Sequence, residues 1–186
     1  MRIRPALLGH LELCERIDGS YTTSYVWQME EKRTSHGIAV TFRREHIPRS
    51  VRVPYLQDTE NLREDWRRNE CFLVAQDAGT VVGYLDMIVR RRNWEGWINH
   101  LVVEASMRRQ GIGSLLLETA QRWARGSELV AITAVFQSKN EPAIQFFSEK
   151  GYAFRGFIDQ YYSNGDVGLI YSRFLTEDRG TWGYRM

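Results

Sequence analysis

A pair of glycines between a predicted strand and a predicted helix places the strongest constraint on this fold. The apolar, β-branched run 97–103 predicts a strand, and helical periodicity resumes at Ile112. Between them lies Arg108-Arg109-Gln110-Gly111-Ile112-Gly113. Glycines let a backbone approach a ligand closely, and the free N–H groups of a first helical turn attract an anion. A pyrophosphate fits such a loop, although two glycines also form an ordinary tight turn and a short glycine pattern is a weak signal.

The glycine loop differs from two other phosphate-binding motifs. It lacks the Gly-Lys-Ser/Thr ending that accompanies magnesium-nucleotide chemistry. The third glycine of the dinucleotide motif is missing, and a long antiparallel meander is predicted before the loop. No group of His, Cys and Asp has metal-ligand spacing, so we expect no metal.

The first third of the chain predicts two helices separated by a hairpin. Apolar residues at helical spacing predict a helix over 6–18. Two stretches rich in β-branched and aromatic residues, 21–30 and 37–46, predict a long hairpin. An extended connection over 48–54 then leads to a short helix, which Asp58 or Thr59 can cap, with Leu62 and Trp66 on its buried face.

The remaining elements predict an α/β fold of the α+β type. The expected strands are 71–76, 81–91, 97–103, 129–136, 152–158 and 167–175. The expected helices are one whose core face is Ile112, Leu115, Leu116, Ala120, Trp123 and Ala124, and one that runs from Asn140 to Gly151. This order favours a mixed, mostly antiparallel sheet of about seven strands with helices on both faces.

Composition and charge exclude several protein classes. The 186 residues are 43% hydrophobic, which excludes a disordered chain, and a net charge of +2 is too small to favour nucleic-acid binding. No apolar run is long enough to span a membrane, and the start shows no secretory signal. The two cysteines lie in regular segments, so we expect no disulfide and a cytoplasmic location. We expect one domain over 1–176 with a hairpin inserted at about 21–55, followed by a polar tail over 177–186. We also expect that the protein can form a homodimer.

Two motifs together resemble the GNAT superfamily of N-acyltransferases. Residues 103–113 look like the family's acyl-CoA loop, and residues 140–152, Asn-Glu-Pro-Ala-Ile-Gln-Phe-Phe-Ser-Glu-Lys-Gly-Tyr, are similar to its second signature. The close resemblance covers about 97–158, and the order of elements extends it over 1–175. It implies acetyl transfer from acetyl-CoA to an amine.

The resemblance also implies a set of residues that bind acetyl-CoA. Arg108, Arg109, Gln110, Gly111, Ile112, Gly113 and Ser114 would wrap the pyrophosphate. Backbone groups of Leu101, Val102 and Val103 would pair with the pantetheine arm like an added strand. Asn140 would contact the arm or cap its own helix, and Phe147 would lie beside the thioester sulfur.

The acid and base positions of the family hold other residues in this chain. Carboxylates are usual where Trp97, Asn99 and Val135 stand, and a tyrosine is usual at Phe147. Tyr161 and Tyr162 are the substitute candidates for the acid, with ordinary packing as the alternative. For acceptor binding we single out Asp86, Trp97 and Asn99, since a carboxylate between apolar neighbours is costly unless it is paired or faces a cleft. Strand alternation places His100 on the face opposite Asn99, as a buried structural histidine.

The residues leave the acceptor open. Partial similarity to streptothricin acetyltransferases, together with the 21–55 insertion, favours a small-molecule amine. Asp159-Gln160-Tyr161-Tyr162 resembles the tyrosine loop of ribosomal-protein alanine N-acetyltransferases, which favours a protein N-terminus. The missing acid and base also leave open an acyl-CoA sensor without turnover.

Overall fold

The computed structural model of the chain describes residues 1–56 and 61–175. In chain order, its elements are strand β1 Arg2–Pro5, helix α1 Leu11–Glu15, strands β2 Tyr21–Thr34 and β3 Gly37–Val53, helix α2 Leu62–Arg67, strands β4 Cys71–Asp77, β5 Thr80–Arg90 and β6 Glu95–Val103, helix α3 Ile112–Gly126, strand β7 Ala131–Gln137, helix α4 Glu141–Glu149, and strands β8 Ala153–Ile158 and β9 Gly168–Phe174. Short 3₁₀ turns at Leu8–His10 and Ala105–Met107 precede α1 and α3.

The expected fold class is confirmed. Seven strands form one mostly antiparallel sheet in the order β1-β4-β5-β6-β7-β9-β8, and β2 and β3 form a separate two-stranded sheet. Only one of the ladders with a defined register is parallel, the one that joins β6 to β7. None of the helices in the described ranges is both long enough and apolar enough to cross a bilayer.

The described residues fall into two compact units. The first unit comprises 1–19, 61–134 and 172–175, and the second comprises 20–56 and 135–171. In the first unit, α3 packs against β4, β5 and β6, while α1 and α2 pack against β5. Its core includes the buried run 71–75 of β4 and the buried side chains 81–87 of β5. In the second unit, the hairpin packs against α4.

Three expected elements differ from the structure. The helix over 6–18 is replaced by the 3₁₀ turn and the short α1, because the His10 ring accepts the Leu7 N–H at 3.0 Å and Gly9 weakens the first turn. The connection over 48–54 is mostly strand, with Pro48 in the irregularity that separates the Thr23 and Tyr25 pairings, where a missing N–H costs no ladder bond. On α3, Leu117 is buried where Leu115 was expected, and Leu115 is exposed. The Asp58 and Thr59 caps and the 177–186 tail lie outside the described residues.

Candidate functional site

Among the described residues, strand β6 has no strand partner on one side along its second half, and we call this side its open edge. Its parallel ladder with β7 joins Glu95–Ile98 to Ala131–Ala134, whereas β6 continues to Val103. On the other side, β5 pairs with β6 as far as Val103, and the Glu104 N–H donates to the Val82 carbonyl at 2.9 Å. Alternate residues of an antiparallel ladder bond to their partner, so Val102 faces β5 while the backbone groups of Leu101 and Val103 face the open edge.

The glycine loop leads from this edge into the N-terminus of α3. Gly111 caps the helix with a φ of +84°, a left-handed conformation that glycine adopts without strain. The carbonyl of Gly111 accepts the Leu115 N–H at 3.0 Å, which is the first turn of the helix. The N–H groups of Ile112, Gly113 and Ser114 therefore have no carbonyl behind them within the helix and can bind an anion.

Arg108 holds the loop in place. Its Nε donates to the Val103 carbonyl and its guanidinium also donates to the Asp18 carbonyl, each at 2.8 Å. Arg109 is exposed and also has positive φ, at +63°. Gln110, also exposed, donates to the Ser106 carbonyl at 3.3 Å. Arg108 thus orders the loop through its side chain, which donates to two backbone carbonyls, while Arg109 presents its positive charge to solvent.

Two carboxylates meet beside β6. Asp86 of β5 is 1% exposed, and Asp65 of α2 approaches it across the sheet face. The Asn99 side-chain nitrogen donates to an oxygen of each carboxylate at 3.3 Å. Both bonds come from the same amide nitrogen, so Asn99 links the two carboxyl groups. The structure therefore brings together two of the predicted acceptor-binding residues, Asp86 and Asn99.

Burial and a neighbouring charge change the acidity of Asp86. Desolvation, with the neighbouring Asp65 carboxylate acting in the same direction, raises the pKa of Asp86 to about 8. The Asn99 amide and the Arg68 charge oppose this rise. Asp86 therefore holds a proton at neutral pH and releases it in mildly alkaline solution.

The expectation that alternation separates Asn99 from His100 is wrong. Asp86 pairs with His100 and Met87 pairs with Ile98, so Asn99 is an extra residue in a β-bulge. His100 is buried, and one of its ring nitrogens lies within 4.8 Å of the Asp65 and Asp86 carboxylates. Both neighbours thus reach Asp86, because the bulge changes the direction of the strand locally.

Trp97 lies near these residues along β6 but is occupied by its neighbours. The Arg90 guanidinium lies 3.3 Å from the centre of the Trp97 ring, and the Trp97 indole N–H donates to Glu95 at 3.3 Å. One face of the Trp97 ring is therefore already covered by a cation.

In the second unit, Asn140 and Phe147 have structural partners of their own. The Asn140 side chain accepts the Ala143 N–H at 3.2 Å, which is the helix cap that one of our alternatives expected. Phe147 is 2% exposed, with its ring centre 4.7 Å from that of Phe136 and 4.9 Å from that of Tyr152. Phe147 is thus part of an aromatic core.

Tyr161 and Tyr162 differ in accessibility. Tyr162 is buried and its hydroxyl donates to the Val135 carbonyl at 3.2 Å. Burial raises its pKa. Tyr161 is exposed and packs edge-on against Tyr162 at 5.1 Å between ring centres. Of these two tyrosines, Tyr161 is the one that solvent reaches.

Sequence reasoning did not single out Asp65 or Glu141. Asp65 follows Leu62 by three residues, a spacing that places both on one face of α2, and this signal was available. Glu141 is buried in the second unit, accepts the Trp27 indole N–H at 2.6 Å, and pairs with Arg44. It anchors the hairpin to α4, a long-range contact that no local pattern indicates.

Comparison with known proteins places the chain in a family. The profile of the acetyltransferase (GNAT) family matches residues 36–154. N-alpha-acetyltransferase 60 of Drosophila melanogaster is 31% identical over 93 residues, which are 47% of this chain and 34% of that protein. The chain spans between about a third and just under two thirds of the curated relatives that it matches.

Solved structures show the same fold. The crystal structure of nourseothricin acetyltransferase has a TM-score of 0.79 at 22% identity and covers 94% of this chain and 98% of its own. A protein assigned as a streptothricin acetyltransferase of Bacillus anthracis str. Ames, in complex with acetyl coenzyme A, has a TM-score of 0.73 at 18% identity, with 93% and 98% covered. The profile match extends over more than half of the chain, so the chain belongs to the GNAT family of acetyltransferases, which use acetyl-CoA as the acyl donor.

Proposed function

We propose that the protein transfers an acetyl group from acetyl-CoA to the primary amine of a small molecule, by direct attack in a ternary complex. The observation that supports this most is the open edge of β6. It leads directly to the first N–H groups of α3, which have no carbonyl partner within the helix. One end of this surface suits an amide-bearing arm, and the other suits a pyrophosphate.

The acyl donor would lie along the first unit in an extended form. Its pyrophosphate accepts the N–H groups of Ile112, Gly113 and Ser114, and Arg109 adds positive charge. The arm hydrogen-bonds to the backbone of Leu101 and Val103. Arg108 supports both parts indirectly, because it holds the loop against β6.

The acceptor would be oriented by Asn99 and Asp86, with Trp97 beside them. For the departing thiolate we favour Tyr161 as proton donor over Tyr162, because the Tyr162 hydroxyl already donates to the Val135 carbonyl. The single domain over 1–176, the homodimer and the cytoplasmic location stay predictions.

A protein N-terminus is the second candidate acceptor. The 31% identity with an N-alpha-acetyltransferase supports it. The structural likeness to acetyltransferases of nourseothricin and streptothricin, together with the long hairpin, leads us to prefer a compact amine.

The test measures donor binding and thiol release separately. Calorimetry gives the affinity for acetyl-CoA, and a thiol-release assay compares streptothricin, nourseothricin and a peptide with N-terminal alanine. Release that depends on an antibiotic amine supports the proposal, and release with the peptide alone supports the second candidate. Saturable acetyl-CoA binding without release by any amine contradicts both and supports an acyl-CoA sensor.

A further inference from the structure

We propose that the Asp65–Asp86 carboxyl pair takes up the proton that the acceptor ammonium loses before its nitrogen attacks the thioester. This inference rests on the proposed function and assigns the base that the family's usual positions lack here. Those positions hold Trp97, Asn99 and Val135, none of which can accept a proton at neutral pH.

The position of the pair follows from the direction of the donor along β6. The loop that suits the pyrophosphate comes after Val103, so the arm runs back along β6 toward Leu101. The reactive end then comes next to Asn99, the first residue of β6 beyond the ladder with β7. Asn99 donates to both carboxylates, so the pair lies one hydrogen bond away from that point.

The two carboxyl groups differ in access. The Asp86 side chain is essentially inaccessible, whereas the Asp65 side chain keeps 10% of its surface and contacts Arg68 at 3.4 Å. An ammonium therefore meets the pair from the Asp65 side. Because two close carboxylates favour a nearby cation, binding of the ammonium promotes ionisation of Asp86 and prepares the pair to accept a proton.

The proposed step balances. The ammonium gives one proton to the doubly ionised pair, and the freed nitrogen lone pair forms a bond to the acetyl carbon. The carbon–sulfur bond breaks with its electrons on sulfur. The thiolate takes a proton from Tyr161, the donor proposed above, and the second nitrogen proton replaces the one that Tyr161 gives. The pair later returns its proton to solvent.

Several titratable groups surround the pair, and they bear on its pH dependence. Asp65 comes from α2 and Arg68 directly follows that helix, while Cys71 comes from β4, Tyr84 from β5 and His100 from β6. Burial raises the pKa values of Cys71 and Tyr84, so neither ionises near neutrality. The Tyr84 hydroxyl is buried without a hydrogen-bond partner among the described residues. The experiment therefore has to distinguish the contribution of Asp86 to the pH profile from that of His100.

The test is the pH profile of kcat/KM, measured with the amine that the wild-type protein acetylates. Activity requires ionised Asp86, so we expect the rate to rise with pH through about 8. Asp65→Asn removes the charge that raises the pKa of Asp86, so the midpoint should move to lower pH, by about one unit. Asp86→Asn should lower kcat by about 100-fold and abolish this rise of the rate with pH, while the acetyl-CoA affinity stays unchanged.

Controls separate this role from folding and from other groups. Asp77→Asn, at the exposed end of β4 beside the amino terminus, should keep the wild-type profile. If Asp86→Asn does not fold in a melting experiment, the shift in Asp65→Asn decides alone. If folded Asp86→Asn keeps the rise of kcat/KM with pH, that rise belongs to another group, such as His100, and the proposal is overturned.

Two further results would also overturn it. Loss of activity on dialysis against EDTA, restored by a divalent cation, would mean that Asp65, Asp86 and His100 hold a metal instead. A wild-type protein that acetylates no amine overturns the proposed function and this inference together, whereas an active protein with an unshifted Asp65→Asn profile overturns this inference alone.

Discussion

The Phe147 side chain belongs to the aromatic core of the second unit. Phe136, Phe146 and Tyr152 surround it at ring-centre distances of 4.7, 5.3 and 4.9 Å. A residue packed in this way stabilises α4 against its neighbours and has no surface left for a leaving group. We therefore expect residue 147 to have a structural role in this chain.

At the same scale, Phe147→Tyr tests that assignment. The added hydroxyl enters an apolar site without a partner, so we expect a loss of about 1–3 kcal/mol in the free energy of unfolding and no gain in turnover. For a chain of this size, that corresponds to a lower melting temperature by several degrees. Phe146→Tyr is the matched control, since Phe146 is half-buried and its hydroxyl can reach water. A faster Phe147→Tyr enzyme with unchanged stability would show that residue 147 faces the leaving thiol.

Among the elements, the start of α3 contains a glycine, Gly111, that has both an unusual backbone conformation and open space around it. Gly111 has a φ of +84°, and a Cβ added there would meet nothing within 4 Å. Any side chain at this position adds backbone strain, while space for it is available. An effect of charge can therefore be separated from an effect of strain by two substitutions.

We expect Gly111→Glu to weaken acetyl-CoA binding by at least about tenfold, roughly 1.4 kcal/mol. The carboxylate would lie where the phosphates bind and would repel them. Gly111→Ala has the same backbone strain without the charge, and its affinity should stay within about threefold of the wild-type value. Calorimetry on both folded variants measures the difference. Equal affinities for the two variants would show that the loop is only a tight turn.

The elements also show what sequence patterns can predict and where they stop. The strand, glycine loop and helix over 97–126 follow from local periodicity, so they are predicted closely. The meeting of Asp65 with Asp86 depends on how α2 packs on β5, and the approach of Asn99 depends on a bulge in β6. Such contacts join residues far apart in the chain and are set by tertiary packing, which no window of sequence contains.

At the scale of the whole molecule, the two units divide the proposed tasks unevenly. The open edge of β6, the glycine loop and the Asp65–Asp86 pair all belong to the first unit. The hairpin of the second unit is anchored at its base, where the Trp27 N–H donates to the Ser138 carbonyl at 2.8 Å and Glu141 binds both Trp27 and Arg44. Its tip beyond Glu30 and Thr41 is mostly exposed.

This division predicts that the hairpin tip is dispensable for donor binding. Replacing residues 31–40 by an Asn-Gly turn removes exposed strand but keeps Trp27, Arg44 and Glu141, so the base of the hairpin should stay folded. We expect acetyl-CoA affinity within about twofold of the wild-type value, because none of the residues proposed to bind the donor lies in the hairpin. If the hairpin contributes to acceptor recognition, KM for the amine rises while the donor affinity holds. Calorimetry with acetyl-CoA and steady-state rates with the amine measure the two quantities on the same preparation. A folded variant that loses donor affinity tenfold would contradict the assignment of donor binding to the first unit.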